Sequence, residues 1–214
     1  MPTQPLYEKY RPTTLADVVG QPQAVAKLQR AMDRDAVAVR AWWISGRSGG
    51  GKTTIARILA SHVADETCIY EYDGREMTVA ELDRLRKKCY TGRPLFGGGY
   101  GLIVNESHNV KDATRFLGLL EPIPEWITWV FTTTTDGQLN FDGVTDSGPL
   151  LSRCRSVPLQ SRGVADAFTA LAQTIARAEN LDGQPLSAYK ALVNKHRGNI
   201  RAVLQSIENE DMID

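Results

Sequence analysis

The sequence predicts an α/β protein: a parallel sheet with helices on both faces, followed by a small three-helix domain. Three observations predict it. Short apolar runs rich in β-branched and aromatic residues (AWWIS, LIV, WITWVFTTTT) alternate with amphipathic stretches. A glycine-rich turn, GRSGGGKTT over 46–54, joins one run directly to a helix. After Ser161-Arg162-Gly163 the strand-like runs stop and three helical patterns follow. Strand–loop–helix alternation makes parallel strands joined by crossover helices.

The elements follow in order. Residues 1–20 read as an extended arm, broken by Pro2, Pro5 and Pro12 and ended by Gly20 and Pro22. Residues 22–33 read as a helix with Pro22 in its first turn. AWWIS (41–45) is a buried strand, and its Trp42-Trp43 pair reads as core rather than a base-stacking platform. GKTTIARILASHV carries apolar residues at helical spacing. TCIYEYD (67–73) reads as a second strand, and Thr78 to Glu81 is a T-x-x-E box opening a helix to about Lys88. LIV (102–104) is a third strand, 110–121 a helix, and 126–135 a fourth strand. LLSRCRSVPLQ (150–160) reads as a short helix and a last strand. The expected boundary places a nucleotide-binding domain at 1–161 and a helical lid at 162–214.

Composition limits the function classes. The 214 residues are 42% hydrophobic and 23% charged, enough for a real core. Twenty-five basic residues balance 25 acidic ones, which argues against coating nucleic acid with a basic surface but allows a local basic face. Cys68, Cys89 and Cys154 lie far apart, so neither a disulfide framework nor a zinc site is expected. His62, His108 and His196 show no ligand spacing and read as structural or polar-surface residues. No apolar run approaches the ~18 residues of a membrane span, and no signal peptide precedes the arm, so a cytoplasmic setting without membrane contact is expected.

The turn at 46–54 contains the P-loop pattern: Gly46, four residues, then Gly51, Lys52 and Thr53. Its glycines let backbone N–H groups approach phosphates, and the helix N-terminus adds a positive dipole end. Lys52 is expected to pair with the β- and γ-phosphates and the Thr53 hydroxyl to ligate Mg²⁺. A second, acidic element should follow an apolar strand. LIV is followed by Asn105-Glu106. Glu106 is the expected base or water-orienting carboxylate. Asn105 stands where an aspartate is usual; it can still accept a hydrogen bond from a metal-bound water but lacks the charge.

Six stretches together resemble the clamp-loader AAA+ ATPases: the bacterial polymerase III gamma/tau, eukaryotic replication factor C small-subunit and phage types. YEKYRPTTLADVVGQ is similar to their N-terminal box, GRSGGGKTTIARILA to their P-loop and LIVNESH to their Walker B. LLEPIPEWITWVFTTTTD is similar to their passage into sensor 1, LLSRC to their Ser-Arg-Cys signature and GNIRAVLQ to their sensor 2 helix. The motifs keep the family's order from residue 7 to about 207. The resemblance implies a P-loop AAA+ parallel sheet with helices on both faces plus a small three-helix lid. ATP and Mg²⁺ are the implied cofactors.

The resemblance also implies roles. Gly46, Ser48, Gly49, Gly50, Gly51, Lys52, Thr53 and Thr54 would hold the phosphates, and Arg11, Pro12 and Val19 the adenine end. Thr135 would be sensor 1 and Arg201 sensor 2, reaching the γ-phosphate of its own site. Arg153 would be the arginine finger acting in trans, because a guanidinium keeps its charge and neutralises phosphoryl charge. The implied partners are a sliding clamp, primer–template DNA and like subunits in a pentamer. Arg84, Arg86, Lys87, Lys88, Lys111 and Arg115 are the basic candidates for DNA, although a solvated helix face explains Arg84 to Lys88 equally well. The chain departs from the family at Asn105, in lacking the cysteine insertion of the bacterial subunit, and in ending after the lid, where replicative relatives add a collar domain. Two readings of that ending stay open: a truncated chain, or a compact phage or bacterial homologue that oligomerises through its ATPase interfaces alone. Two other readings stay open: a Holliday-junction or fork-maintenance motor, and a nucleotide-binding structural subunit with little hydrolysis.

Overall fold

In the computed structural model, residues 4–33, 40–96, 98–110, 113–134 and 147–211 are described. Thr135 and Lys111 lie outside them. The sheet is built from β1 (Ala41–Ser45), β2 (Ile69–Asp73), β3 (Tyr100–Asn105), β4 (Ile127–Thr133) and β5 (Arg155–Pro158), all paired parallel in the order β2-β3-β4-β1-β5. β3 and β4 are buried along nearly their whole length, as parallel strands covered on both faces must be.

The helices are α1 (Leu6–Lys9), α2 (Pro22–Asp33), α3 (Lys52–Ser61), α4 (Val79–Cys89), α5 (Leu117–Leu120), α6 (Ser147–Ser152), α7 (Ala165–Ala178), α8 (Leu186–Lys195) and α9 (Ile200–Glu208). On one face of the sheet, Trp43, Trp129 and Phe131 pack with Leu85 of α4 and Phe116. The Trp129 and Phe131 rings stack at 5.7 Å. On the other face, Ile44, Ile103 and Val130 pack with Leu28 of α2 and Ile55 of α3. Trp42 and Trp43 are buried in these cores, 3% and 1% exposed. The T-x-x-E box caps α4, since Thr78 Oγ1 accepts from the Glu81 N–H at 3.3 Å.

Three segments differ from the sequence expectation. The arm is not wholly extended: α1 forms after Pro5 and buries Leu6 in a third apolar cluster with Phe168, Ile175 and Tyr189 of α7 and α8. Burying such a leucine stabilises by about 1.5–3 kcal/mol, enough to fold one turn. The helix expected over 110–121 is a 3-10 turn (Ala113–Phe116) running into α5, which stops at Glu121, whose extended backbone suits the residue before a proline. The second strand starts at Ile69, because Glu66–Cys68 forms a 3-10 turn.

The topology makes one edge chemical. β4 lies between β1 and β3, so the P-loop, the tip of β4 and Asn105-Glu106 emerge side by side at the carboxyl end of the sheet. Crevices of open α/β sheets bind ligands at that end.

Candidate nucleotide site

The loop leaving β1 turns through Gly49 (φ +71°) and Gly51 (φ +95°), left-handed conformations that favour glycine. Gly51 is the N-cap of α3. Gly49 has a second constraint: a Cβ there would meet Asn199 Oδ1 at 1.9 Å. Asn199 caps α9 by accepting from the Ala202 N–H at 3.2 Å. The lid helix therefore starts directly against the phosphate loop. Lys52 is buried, 7% exposed, and its Nζ donates to Gly46 O and Arg47 O at 3.1 Å each. Burial holds its ammonium below the usual lysine value, with Glu106 opposing that effect and Arg201 adding to it.

The residues expected to hold the metal assemble beside it. Thr53 Oγ1 donates to Asn105 Oδ1 at 3.2 Å, and Thr132 Oγ1 donates to the same oxygen at 2.9 Å. The other end of that amide, Nδ2, donates to Glu71 Oε1 at 2.7 Å. Glu106 follows with φ +48°, an uncommon conformation for a side-chain-bearing residue. His108 Nδ1 lies 3.5 Å from Glu106 Oε2 and 3.0 Å from Thr133 Oγ1. The donor set of hydroxyl, amide oxygen and carboxylate is the hard-oxygen chemistry that suits Mg²⁺.

The end of the cleft expected to take the base is largely apolar and shared between arm and lid. Pro12 and Val19 line the same cleft as Ser48 to Thr54, Glu106 and Arg201. Tyr7, Tyr10, Phe168, Leu171 and Ile175 complete its wall. Arg11 donates to Thr54 Oγ1 at 3.2 Å and through Nε to Glu8 Oε2 at 3.0 Å, and its hydrogen bonding to Glu8 is the first cause holding that carboxyl below the usual range. Arg201 Cζ sits 5.5 Å from the centre of the Tyr7 ring. Gln21 braces the hinge: its Oε1 accepts from the Gln160 N–H at 2.7 Å and its Nε2 donates to Gln160 O at 3.1 Å.

Arg153 lies away from this cleft, after α6. Its Nε donates to Glu121 Oε1 at 2.7 Å and its Nη1 to Pro149 O at 2.7 Å. The adjoining Cys154 thiol is pushed up to about 12 by burial, so it is a packing residue rather than a nucleophile. Arg84, Arg86, Lys87 and Lys88 are exposed on α4. Arg84 pairs with Glu81 at 3.6 Å, and Lys88 lies 4.4 Å from the Tyr70 ring centre.

The structure thus brings together the phosphate-loop residues, Arg11, Pro12, Val19, Asn105, Glu106 and Arg201, and leaves Arg153 outside. Sequence reasoning read Thr132 and Thr133 as a polar strand tip or as plain strand formers, and missed Glu71 and the lid's aromatic and aliphatic wall. His108, expected to be structural or on the polar surface, packs against Glu106 and Thr133. No spacing rule points to these residues, because sheet order and lid docking bring them in.

No protein-family model matches the chain. It is 26% identical to the DNA polymerase III subunit gamma of Buchnera aphidicola over 231 aligned positions, 96% of this chain and 61% of that one. It is 28% identical to the tau subunit of Escherichia coli over 95% of this chain and 34% of that one. It is 31% identical to the gamma/tau subunit of Mycobacterium tuberculosis over 60% of this chain and 27% of that one. The chain thus spans about six-tenths, or less, of these relatives. A RuvB variant of Thermotoga maritima superposes with a TM-score of 0.72 at 21% identity, covering 93% of this chain and 64% of that one. No helix among the described residues is long and apolar enough to cross a membrane. In fold the chain is a five-stranded parallel α/β sheet with a three-helix domain, like that RuvB variant, and in sequence it resembles the gamma and tau subunits of DNA polymerase III.

Proposed function

We propose that this chain is an Mg²⁺- and ATP-binding clamp-loader subunit. It assembles with like subunits in the cytoplasm to open a sliding clamp and place it on primer–template DNA. Residues 1–161 act as the nucleotide-binding domain and 162–214 as its lid. The observation that carries the reading is that Lys52, Glu106 and the lid's Arg201 line one cleft with the glycine loop.

In this reading Gly46 to Thr54 and Lys52 bind the phosphates, and the apolar wall takes the base. Thr53 Oγ1 and Asn105 Oδ1 would hold Mg²⁺, which when bound neutralises charge on the phosphate oxygens. Glu106 orients the attacking water and receives its proton as the water oxygen bonds to the γ-phosphorus and the bond from that phosphorus to the departing ADP breaks. His108, next to Glu106 and Thr133, fixes that carboxylate. Arg201 reaches the γ-phosphate from the lid. Arg153 of a neighbouring subunit supplies the remaining positive charge, so turnover follows assembly. One feature favours a second reading, a nucleotide-binding subunit with little hydrolysis: Asn105 places a neutral oxygen where a charged one would hold Mg²⁺ more strongly.

The test is ATP hydrolysis with and without primed DNA and a sliding clamp. Stimulation by both, lost in Arg153→Ala, is the expected outcome. Stimulation by four-way junctions and none by the clamp would replace clamp loading with junction remodelling. Tight analogue binding without turnover under any condition would establish the structural subunit.

A further inference from the structure

We propose that Glu71 is the positioning residue that makes Asn105 present an oxygen, and not an N–H, to the metal. The proposal rests on the reading of this cleft as an Mg²⁺–nucleotide site. A carboxamide has two unlike ends, and a half-turn about its last torsion exchanges them. The neighbours on one side, Thr53 and Thr132, are hydroxyls, able to donate or accept, so they do not choose between the ends. Glu71 does choose. A carboxylate only accepts, and Glu71 Oε1 lies 2.7 Å from Asn105 Nδ2. The reversed amide would set oxygen against oxygen at that distance and turn its NH₂ toward Thr53, where a cation would be repelled.

Glu71 is itself held in place. Its Oε2 accepts from Arg57 Nε at 2.8 Å, and β2–β3 pairing sets Glu71 opposite Ile103, two residues before Asn105. An aspartate at 105 would need no such partner, because its two oxygens are equivalent. Dependence on Glu71 therefore belongs to asparagine at this position. A role confined to folding, through Arg57 and the sheet edge, would not distinguish the residue at 105.

The experiment is a four-protein cycle on the full chain: native, Glu71→Ala, Asn105→Asp and the double variant. Binding of a fluorescent, non-hydrolysable ATP analogue is titrated in Mg²⁺ and in EDTA. In the native background Glu71→Ala is expected to weaken Mg²⁺-dependent binding about 10-fold, the usual size for loss of an outer-shell partner. Binding in EDTA should stay within about twofold, as for independent sites. In the Asn105→Asp background the same change should cost less than about twofold. Equal losses in both backgrounds, or none in the native one, overturn the proposal. Failure of the native protein to bind the analogue in either buffer overturns the nucleotide reading instead. Thermal unfolding in EDTA checks each variant. If Glu71→Ala does not fold, Glu71→Gln replaces it in the cycle, with a loss of the same sign and smaller size expected only beside Asn105.

Discussion

Gly74 and Glu106 touch through their backbones: a Cβ built on Gly74 would stand 2.5 Å from the Glu106 carbonyl oxygen. The glycine at the end of β2 thus sets how closely the turn after β2 can approach the turn that carries the proposed catalytic carboxylate. Glu106 already holds φ +48°, so its backbone has little room to yield. Gly74→Ala is expected to cost about 1–3 kcal/mol of stability by overpacking. It should also lower the hydrolysis rate, by up to about 100-fold if Glu106 moves about 1 Å. Analogue affinity should change far less, because the phosphate loop belongs to β1. Parallel loss of rate and affinity would show that the contact supports the whole cleft.

Lys52 supplies a pH prediction. Burial disfavours its charge, so its pKa in the free protein lies below the unfolded value of 10.5. The folded state therefore binds this proton less tightly than the unfolded chain. The resulting penalty is present below the folded pKa and is relieved as pH rises through it toward 10.5. Bound phosphates reverse the preference. Nucleotide affinity should fall on the alkaline side earlier than an exposed lysine would cause, with proton uptake on binding detectable by calorimetry in buffers of different ionisation enthalpy. Lys52→Met should weaken nucleotide binding about 10- to 100-fold, the worth of a hydrogen bond to a charged group. The unliganded variant should melt no lower than the native protein.

The Arg153–Glu121 pair predicts a gain. At 2.7 Å it holds the proposed finger on its own subunit, but Glu121 is 63% exposed. Such a pair is worth at most about 1 kcal/mol. Glu121→Ala should leave the melting temperature nearly unchanged and raise assembly-dependent hydrolysis up to about fivefold, the equivalent of that energy. A lower stimulated rate would mean that Glu121 presents the guanidinium rather than restraining it.

Gln21 is 1% exposed and bonds both backbone groups of Gln160, at the passage into the lid. Gln21→Leu removes the side-chain partner of the half-buried Gln160 N–H and C=O, costing at most about 1–3 kcal/mol for each group. Urea unfolding should show that loss. Stability within error of the native protein would mean water replaces the amide.

The fold order and the glycine loop that opens α3 were legible in the sequence because their signals are local. Apolar runs such as LIV and the Pro22–Asp33 pattern state their own period, and the helix was read to the residue. Gly46 to Thr53 carries its chemistry in consecutive positions. The arm's turn was not legible, because Leu6 is held by α7 and α8 residues more than 150 positions away. Glu71 was silent for the same reason: it is an exposed charged residue in a strand, and its contact with Asn105 exists only once β2 is laid beside β3.

By itself the sequence determined a parallel α/β sheet, a glycine loop opening a helix, an acidic position after the third strand and a helical end. Residues close along the chain fix these through backbone period and glycine freedom. Only the tertiary structure decided which groups face one another: Asn105 between Thr53 and Glu71, Gly74 under Glu106, α9 against Gly49, and Arg153 turned to Glu121. Those meetings depend on strand order and lid docking, which long-range burial selects and no local pattern encodes.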